Sequence, residues 1–467
     1  MQAHALTATQ RSMLYHRLGG AEDGVDIEQI VCTLPEAVDV ARLEAAWARV
    51  IARHESLRGA LRWDGPAGPE LVVADRLTVP LEVIDLSDLA PDQREAELAL
   101  ALADDRLVGF ELDQHPLLRL ALYRFGAAEH RLVWSFPHVI VDGRSFGQVL
   151  GEVFAIYDAD GPGDEPLPPE VPQFREFISW LEARDGASAD EAFWKRALAG
   201  VELPTPLAPP HPSTREDSWG DRDVRLSAAD SDAVRAAAAR LGVPLSTIVA
   251  GAFALALAGP RTREVVFGMA RGRRRGTIPD AERVVGCFLT VLPVRARLPR
   301  GLSVGPWLKA LRAEYREATP HEHAALADIK RWCGIPAGRP AYEALLIFDA
   351  HSIGAEMRLR GGKWGDRWCV LVERTGVPIT LYAYAEAQLH LRLSYDRRRL
   401  DDGGATVFTS RMATLLATLA NDAATPLGNL VPSEGASAPH AAAPDAAAPD
   451  AAAPDAAAAT ASRPLGA

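Results

Sequence analysis

One stretch holds residues that could do chemistry together: Pro137-His138-Val139-Ile140-Val141-Asp142-Gly143. An imidazole with a pKa of about 6.5 titrates near working pH, so His138 suits a general base that takes the proton of an incoming alcohol or amine. Asp142, four residues on, can fold back under the loop of the histidine and tie it down. Gly143 lets backbone come close to a substrate. Amides near a helix start favour developing negative charge. The same stretch would also suit a buried structural histidine at a strand end.

The flanking elements decide where such a histidine would sit. His130 to Phe136 is a short apolar run with strand preference. After the motif, Phe146, Val149, Leu150, Val153, Phe154 and Tyr157 fall at helical spacing. Strand, turn and helix start in succession place His138 at the rim of a sheet, where a cleft can reach it.

Other reactive residue types are less well placed. His54, in Arg53-His54-Glu55-Ser56-Leu57-Arg58, is flanked by charges and reads as part of a structural network. Arg271, Arg273, Arg274 and Arg275 follow a buried-looking strand and read either as a solvated loop or as a dock for a phosphate or an acidic partner. Cys32, Cys287, Cys333 and Cys369 are widely spaced, which argues against a disulfide framework or a zinc site and for buried apolar thiols. No metal is expected. The 467 residues carry a net charge of −12, with no basic block that would mark a nucleic-acid partner. No apolar run is long enough to cross a bilayer and no leader pattern is present, so a soluble cytoplasmic protein is expected.

Along the chain, strands are expected at Ile27–Leu34, Leu71–Val73, Leu81–Ile84, Leu117–Arg124, Asp223–Leu226, Glu264–Gly268, Val284–Arg295, Tyr342–Phe348, Cys369–Glu373, Ile379–Tyr384 and Leu389–Tyr395. Helices are expected from Thr7, Asp39, Ala90, Phe146, Phe174, Ala228, Leu245 and Val407, around Phe193-Trp194 and Trp307, and from His321 to Trp332. Proline-rich Pro204–Pro212 lies near the boundary of two halves. Ala441 to Asp455 is three copies of Ala-Ala-Ala-Pro-Asp. Its prolines block a helix, so a disordered tail is expected over 433–467.

These landmarks, in this order, resemble the condensation domains of non-ribosomal peptide synthetases, in the chloramphenicol-acetyltransferase-like superfamily. Thr7 to Leu14 resembles the family's opening motif, and Arg53 to Arg58 its Arg-His-Glu-x-Leu-Arg motif. Pro137 to Gly143 resembles the His-His-x-x-x-Asp-Gly motif. Gly286 to Arg295 resembles Gly-x-Phe-x-Asn-Thr-x-Pro-x-Arg. The resemblance covers Leu6 to about Leu430.

It implies an α/β (α+β) fold of two acetyltransferase-like lobes in a V-shaped pseudo-dimer, each a mixed sheet packed with helices. The lobes are expected at 1–185 and 186–432, with the active site at their junction. It implies a condensation-type acyltransferase of secondary metabolism. The donor would be an acyl or peptidyl thioester on the phosphopantetheine arm of a carrier protein supplied in trans, with no bound cofactor. The acceptor would be a small amine or alcohol, or a second carrier protein. His138 corresponds to the second motif histidine, and Gly143 leaves room for the thioester and offers its amide to the oxyanion. Asp142 would be structural, paired with Arg295. Thr290 stands in the motif's polar pair, near a substrate tunnel. Pro137 replaces the first motif histidine. Two other readings stay open: a catalytically silent domain that recruits carrier proteins or partner enzymes, and an acyltransferase using soluble acyl-CoA.

Overall fold

The computed structural model describes residues 2–20, 24–65, 68–159, 167, 170–184, 186–201, 203–205, 219–272, 274–336 and 338–432. The alanine-proline-aspartate tail, Arg273, residues 206–212 and most of the Asp160–Pro172 connection lie outside them.

In the first half, β1 (Gln2–Ala5) and α1 (Ala8–Leu18) precede β2 (Ile27–Leu34) and α2 (Val40–Arg53). Short strands β3 (Gly59–Arg62), β4 (Glu70–Val73) and β5 (Leu81–Asp85) lead to α3 (Pro91–Val108). Then come β6 (Arg119–Gly126), β7 (Glu129–Pro137), α4 (Gly143–Asp158), α5 (Phe174–Glu182) and α6 (Ala187–Ala197). The second half runs β8 (Trp219–Arg225), α7 (Ala228–Leu241), α8 (Leu245–Leu257), β9 (Glu264–Gly272) and β10 (Leu289–Arg297). Next are α9 (Val304–Ala318), α10 (Leu326–Trp332), β11 (Ala344–Asp349) and α11 (Ile353–Leu359). It ends with β12 (Trp368–Val372), β13 (Ile379–Tyr384), β14 (His390–Asp396) and α12 (Asp402–Asn421).

Two mixed sheets dominate. One has the order β12-β2-β7-β6-β5, the other β10-β9-β11-β13-β14-β8, and β1-β4-β3 form a small third. The second half therefore lends a strand to the first sheet: β12 pairs antiparallel with β2. Met357, Trp364 and Cys369 accordingly pack in the first core, beside Trp47, Trp134 and Phe136. A simple cut between 185 and 186 does not separate the two sheets, because residues 353–372 cross over.

The pairing also sets Cys369 directly opposite Cys32, both buried. The wide sequence spacing of the cysteines hid this neighbourhood.

Amphipathic patterning explains the packing. Trp47, Val50 and Ile51 give α2 one apolar face, and all are buried in the first core. Helix α8 is apolar on every side, and every residue from Thr247 to Leu257 is buried, as expected for a core helix of the second lobe. Each large apolar side chain buried this way contributes about 1.5–3 kcal/mol. Among the described residues, no single helix is long and apolar enough to cross a membrane. The run Val284–Arg295 is only partly strand. Residues 284–288 leave the ladder, and β10 begins at Leu289.

Candidate functional site

His138 lies just past the end of β7, and its N–H donates to the Asp26 carbonyl at 2.8 Å. Hydrogen-bonded and non-hydrogen-bonded pairs alternate along an antiparallel ladder. The adjoining pair Ile27–Pro137 is therefore a non-bonded one, and the proline in place of the first motif histidine forfeits no ladder bond. Gln10, buried on α1, donates to the Val139 carbonyl at 2.8 Å. Thr7 and Gln10 close a capping box that fixes this helix end. Beneath the loop lies an aromatic column. Ring centroids are 4.2 Å apart for Trp134–Phe136, 5.1 Å for Phe136–Phe146 and 5.9 Å for Phe146–His138.

Asp142 is the N-cap of α4. Its Oδ1 accepts from the Ser145 N–H at 3.1 Å and its Oδ2 from the Phe288 N–H at 2.9 Å. Arg274 donates to Oδ1 at 2.8 Å, and its guanidinium stacks over Phe288 at 4.2 Å. Burial alone would push this carboxyl up; the Arg274 charge and the hydrogen bonds from Arg274, Ser145 and Phe288 outweigh it and hold it below the usual aspartate range.

The expected pairing with Arg295 is therefore corrected. Arg295 binds Glu264 at 2.7 Å and the carbonyls of Ala197 and Ala199 at 3.1 and 3.0 Å. Phe288, which meets Asp142, lies seven residues before it. At about 3.3 Å per residue, strand β10 carries Arg295 roughly 20 Å beyond Asp142. Glu264 is its diagonal neighbour on β9, since Glu264 pairs with Arg297. The partner of Asp142 comes instead from the arginine cluster, two residues past the end of β9.

The loop 284–288 is a latch between the lobes. Ser145 Oγ accepts from the Gly286 N–H at 3.1 Å, and the Asp142 N–H donates to the Gly286 carbonyl at 3.1 Å. Ser56 donates to the Val285 carbonyl at 3.0 Å. A Cβ on Gly286 would meet Phe174 at 2.2 Å, so only glycine fits there. The Arg53–Arg58 motif braces the same region. His54 Nε2 lies 2.7 Å from Glu152 on α4, and the Arg175 N–H donates to Glu55 at 2.7 Å. That agrees with a structural network around His54.

Two cavities meet at His138. The larger, of about 1240 Å³, is lined by Gly143, Arg144, Arg271, Asp349 and Tyr384 among others. The smaller, of about 170 Å³, is lined by Ser12, His16, Glu28, Thr290 and Tyr342 among others. His138, Ala270, Leu289, Ile347 and Glu373 face both. Thr290 thus lines the smaller cavity, its hydroxyl 3.4 Å from the Arg271 carbonyl. Gly143 opens the first turn of α4; a Cβ there would come no closer than 4.0 Å, to Phe146. Backbone there is open to a substrate, and the first N–H groups of a helix lack intrahelical acceptors.

Carboxylates surround the junction. Burial pushes Glu28 and Glu373 up, and each raises other acids nearby. Asp349 opens onto the larger cavity, yet protein surrounds it on the other sides. Burial, Asp142 and Glu356 push it up to about 6. Neither Glu28 nor Glu373 stands out in the sequence, although a glutamate inside the apolar run Ile27–Leu34 is a signal that one face of β2 meets a polar site.

The condensation-domain family matches residues 1–436. A linear gramicidin synthase of Brevibacillus parabrevis is 32% identical over 401 residues, covering 85% of this chain but 5% of the synthase. The chain thus spans a small fraction of the length of that relative. The condensation domain from monacolin K polyketide synthase MokA superposes with a TM-score of 0.75 at 18% identity, covering 91% of this chain and 99% of that one. The X-domain in complex with OxyB from teicoplanin biosynthesis gives 0.75 at 21% identity, covering 92% and 96%. The chain belongs to the condensation-domain family, and its fold is the chloramphenicol-acetyltransferase-like fold of the solved condensation domains.

Proposed function

We propose that this chain joins an acyl or peptidyl thioester, carried on the phosphopantetheine arm of a carrier protein, to an alcohol or amine. The observation that carries the reading is the meeting of two cavities at His138, one for each substrate. Holding two reactants at one point converts a bimolecular step into an effectively unimolecular one.

His138 takes the proton of the acceptor hydroxyl or amine as its oxygen or nitrogen bonds to the thioester carbonyl carbon. The carbonyl oxygen becomes an oxyanion, which the Gly143 N–H and the start of α4 stabilise. Collapse re-forms the carbonyl and breaks the C–S bond. The imidazolium returns its proton to the departing thiolate. An ester or amide and a free phosphopantetheine thiol remain. Ester formation on a small acceptor, with release of the chain, is the favoured variant.

The fold is also that of an X-domain solved with OxyB, which motivates a recruitment role as the competing reading. The Pro137 substitution does not favour it, because His138 keeps its anchor on Asp26.

The test is intact-protein mass spectrometry of an acyl-loaded carrier protein incubated with amines and alcohols. Loss of the acyl mass that needs both acceptor and His138 supports condensation. Binding of the carrier with no unloading by either wild type or His138→Ala overturns it in favour of recruitment.

A further inference from the structure

We propose that Glu28, His138 and Glu373 form a binding site for a first-row divalent cation such as Zn²⁺, Co²⁺ or Mn²⁺. This does not rest on the acyl-transfer reading, and the two states exclude each other at any one moment: with Nδ1 on the ion, Nε2 of His138 carries the ring proton and has no lone pair to take the acceptor's.

The three residues come from neighbouring strands in the sheet order β12-β2-β7. Glu28 is on β2, His138 follows β7 and Glu373 follows β12. Val372 pairs with Gln29, so the next step along the ladder sets Glu373 beside Glu28. One donor atom from each residue lies within 4.8 Å of the other two. Glu28 lies within β2, and backbone hydrogen bonds fix the other two just past their strands: the His138 N–H donates to the Asp26 carbonyl at 2.8 Å and the Asp26 N–H to the Arg374 carbonyl at 3.0 Å, which is the rigidity a metal site needs.

Burial makes the arrangement costly without a counter-charge. Glu28 is 2% exposed and Glu373 7%. Among the described residues, Glu28 Oε2 and His138 Nδ1 have no hydrogen-bond partner. Buried carboxylates are found paired or coordinating metals. The guanidiniums that act on these carboxylates make their hydrogen bonds elsewhere. Arg106 donates to Gln29 at 2.7 Å, and Arg392 to the Leu371 carbonyl at 2.9 Å while pairing with Asp221 at 3.4 Å. A divalent ion would neutralise the two carboxylates and give the imidazole nitrogen its partner.

The donor set selects the metal class. One imidazole and two carboxylates suit Zn²⁺, Co²⁺, Mn²⁺ or Fe²⁺ better than thiophilic ions, and better than Ca²⁺, which takes six to eight oxygens. All three residues line the smaller cavity, and His138 and Glu373 also reach the larger. Water or a small anion can therefore reach any open coordination position.

The experiment uses the full chain stripped with a chelator and titrated with Co²⁺ alone, followed by its visible absorption and by calorimetry. One equivalent is expected to bind. Glu28→Gln, Glu373→Gln and His138→Ala should each weaken binding by more than the roughly 10–100-fold that loss of an outer-shell partner costs. Asp349→Asn, a carboxylate of the larger cavity that acts on Glu373 only through its charge, should change binding far less than any of the three. Thermal melts check that each variant folds. Where one does not, Mn²⁺ added to wild type should broaden the His138 ring resonance before those of His54 and His351. Retained Co²⁺ binding in all three folded variants, or no binding by wild type at millimolar Co²⁺, overturns the proposal; in the second case the carboxylate pair shares a proton instead.

Discussion

Removing either member of the Asp142–Arg274 pair should have unequal costs, and the inequality follows from what each leaves behind. Asp142 is 3% exposed and Arg274 2%. At 2.8 Å and an effective dielectric of about 20, their attraction is roughly 6 kcal/mol, much of which desolvation cancels. Breaking a buried pair by deleting one partner typically costs about 3–5 kcal/mol. In Arg274→Met, Asp142 keeps the N–H groups of Ser145 and Phe288 and the Ser145 hydroxyl, so about 3 kcal/mol is expected. In Asp142→Ala, the buried guanidinium loses its counter-charge and keeps only the Ser145 hydroxyl at 2.9 Å and the Val284 carbonyl at 3.5 Å. Its Nε and one terminal nitrogen already lack partners among the described residues, so the loss should approach about 5 kcal/mol.

Urea unfolding of both single variants and the double variant gives the coupling energy, expected at about 1–3 kcal/mol. Arg295→Met is the control. It removes the Glu264 pair, a partly exposed contact, and should add to Asp142→Ala within about 0.5 kcal/mol. Coupling of Asp142 to Arg295 rather than to Arg274, or a cheaper Asp142→Ala than Arg274→Met, would refute this account of the lobe junction.

Four further outcomes are expected. Gly143→Ala adds a methyl with no protein neighbour closer than 4.0 Å, so unfolding should be unchanged within about 0.5 kcal/mol while the methyl, set in the space the thioester must enter, slows acyl transfer; because alanine keeps the N–H, unchanged transfer would show that the thioester does not pass close to Gly143. Gly286→Ala drives a Cβ onto Phe174 and should cost about 1–3 kcal/mol, with faster amide exchange at Phe288, read by hydrogen exchange. His138→Ala should slow transfer by about 10²–10⁴-fold, read by loss of acyl mass from the carrier. Asp349, held near 6 by burial, Asp142 and Glu356, binds its proton more tightly folded than unfolded. Wild type should therefore lose stability relative to Asp349→Asn as pH rises from about 4 through 6, and parallel pH profiles of the two melting temperatures would contradict that.

Local pattern suffices wherever a segment decides its own structure. Helices at 228–241 and 245–257 and the strand at 27–34 fall where periodicity and breakers place them. The four-residue strands Gln2–Ala5 and Gly59–Arg62 and the seven-residue helix Ile353–Leu359 are too short to show a period. The larger differences share another cause, which is pairing between distant segments. Val284 to Phe288 is as apolar as the strand that follows. It leaves the ladder because Gly286 must pass Phe174, more than a hundred residues upstream. Arg274 is one of several loop arginines in the sequence, and only the fold-back of the β9–β10 connection onto α4 singles it out. Arg295 stands in a motif with Gly286 and Phe288, but a strand separates what a motif groups. The same logic hides the proposed cation site. Glu28 and Glu373 lie 345 positions apart in the sequence, and only the crossover of β12 onto β2 makes them neighbours beside His138. A charged residue inside an apolar strand is the one local trace such a site leaves. Glu28 in Ile27–Leu34 is that trace: its burial, with no hydrogen-bond partner for Oε2 among the described residues, asks for a counter-charge that its own segment does not supply.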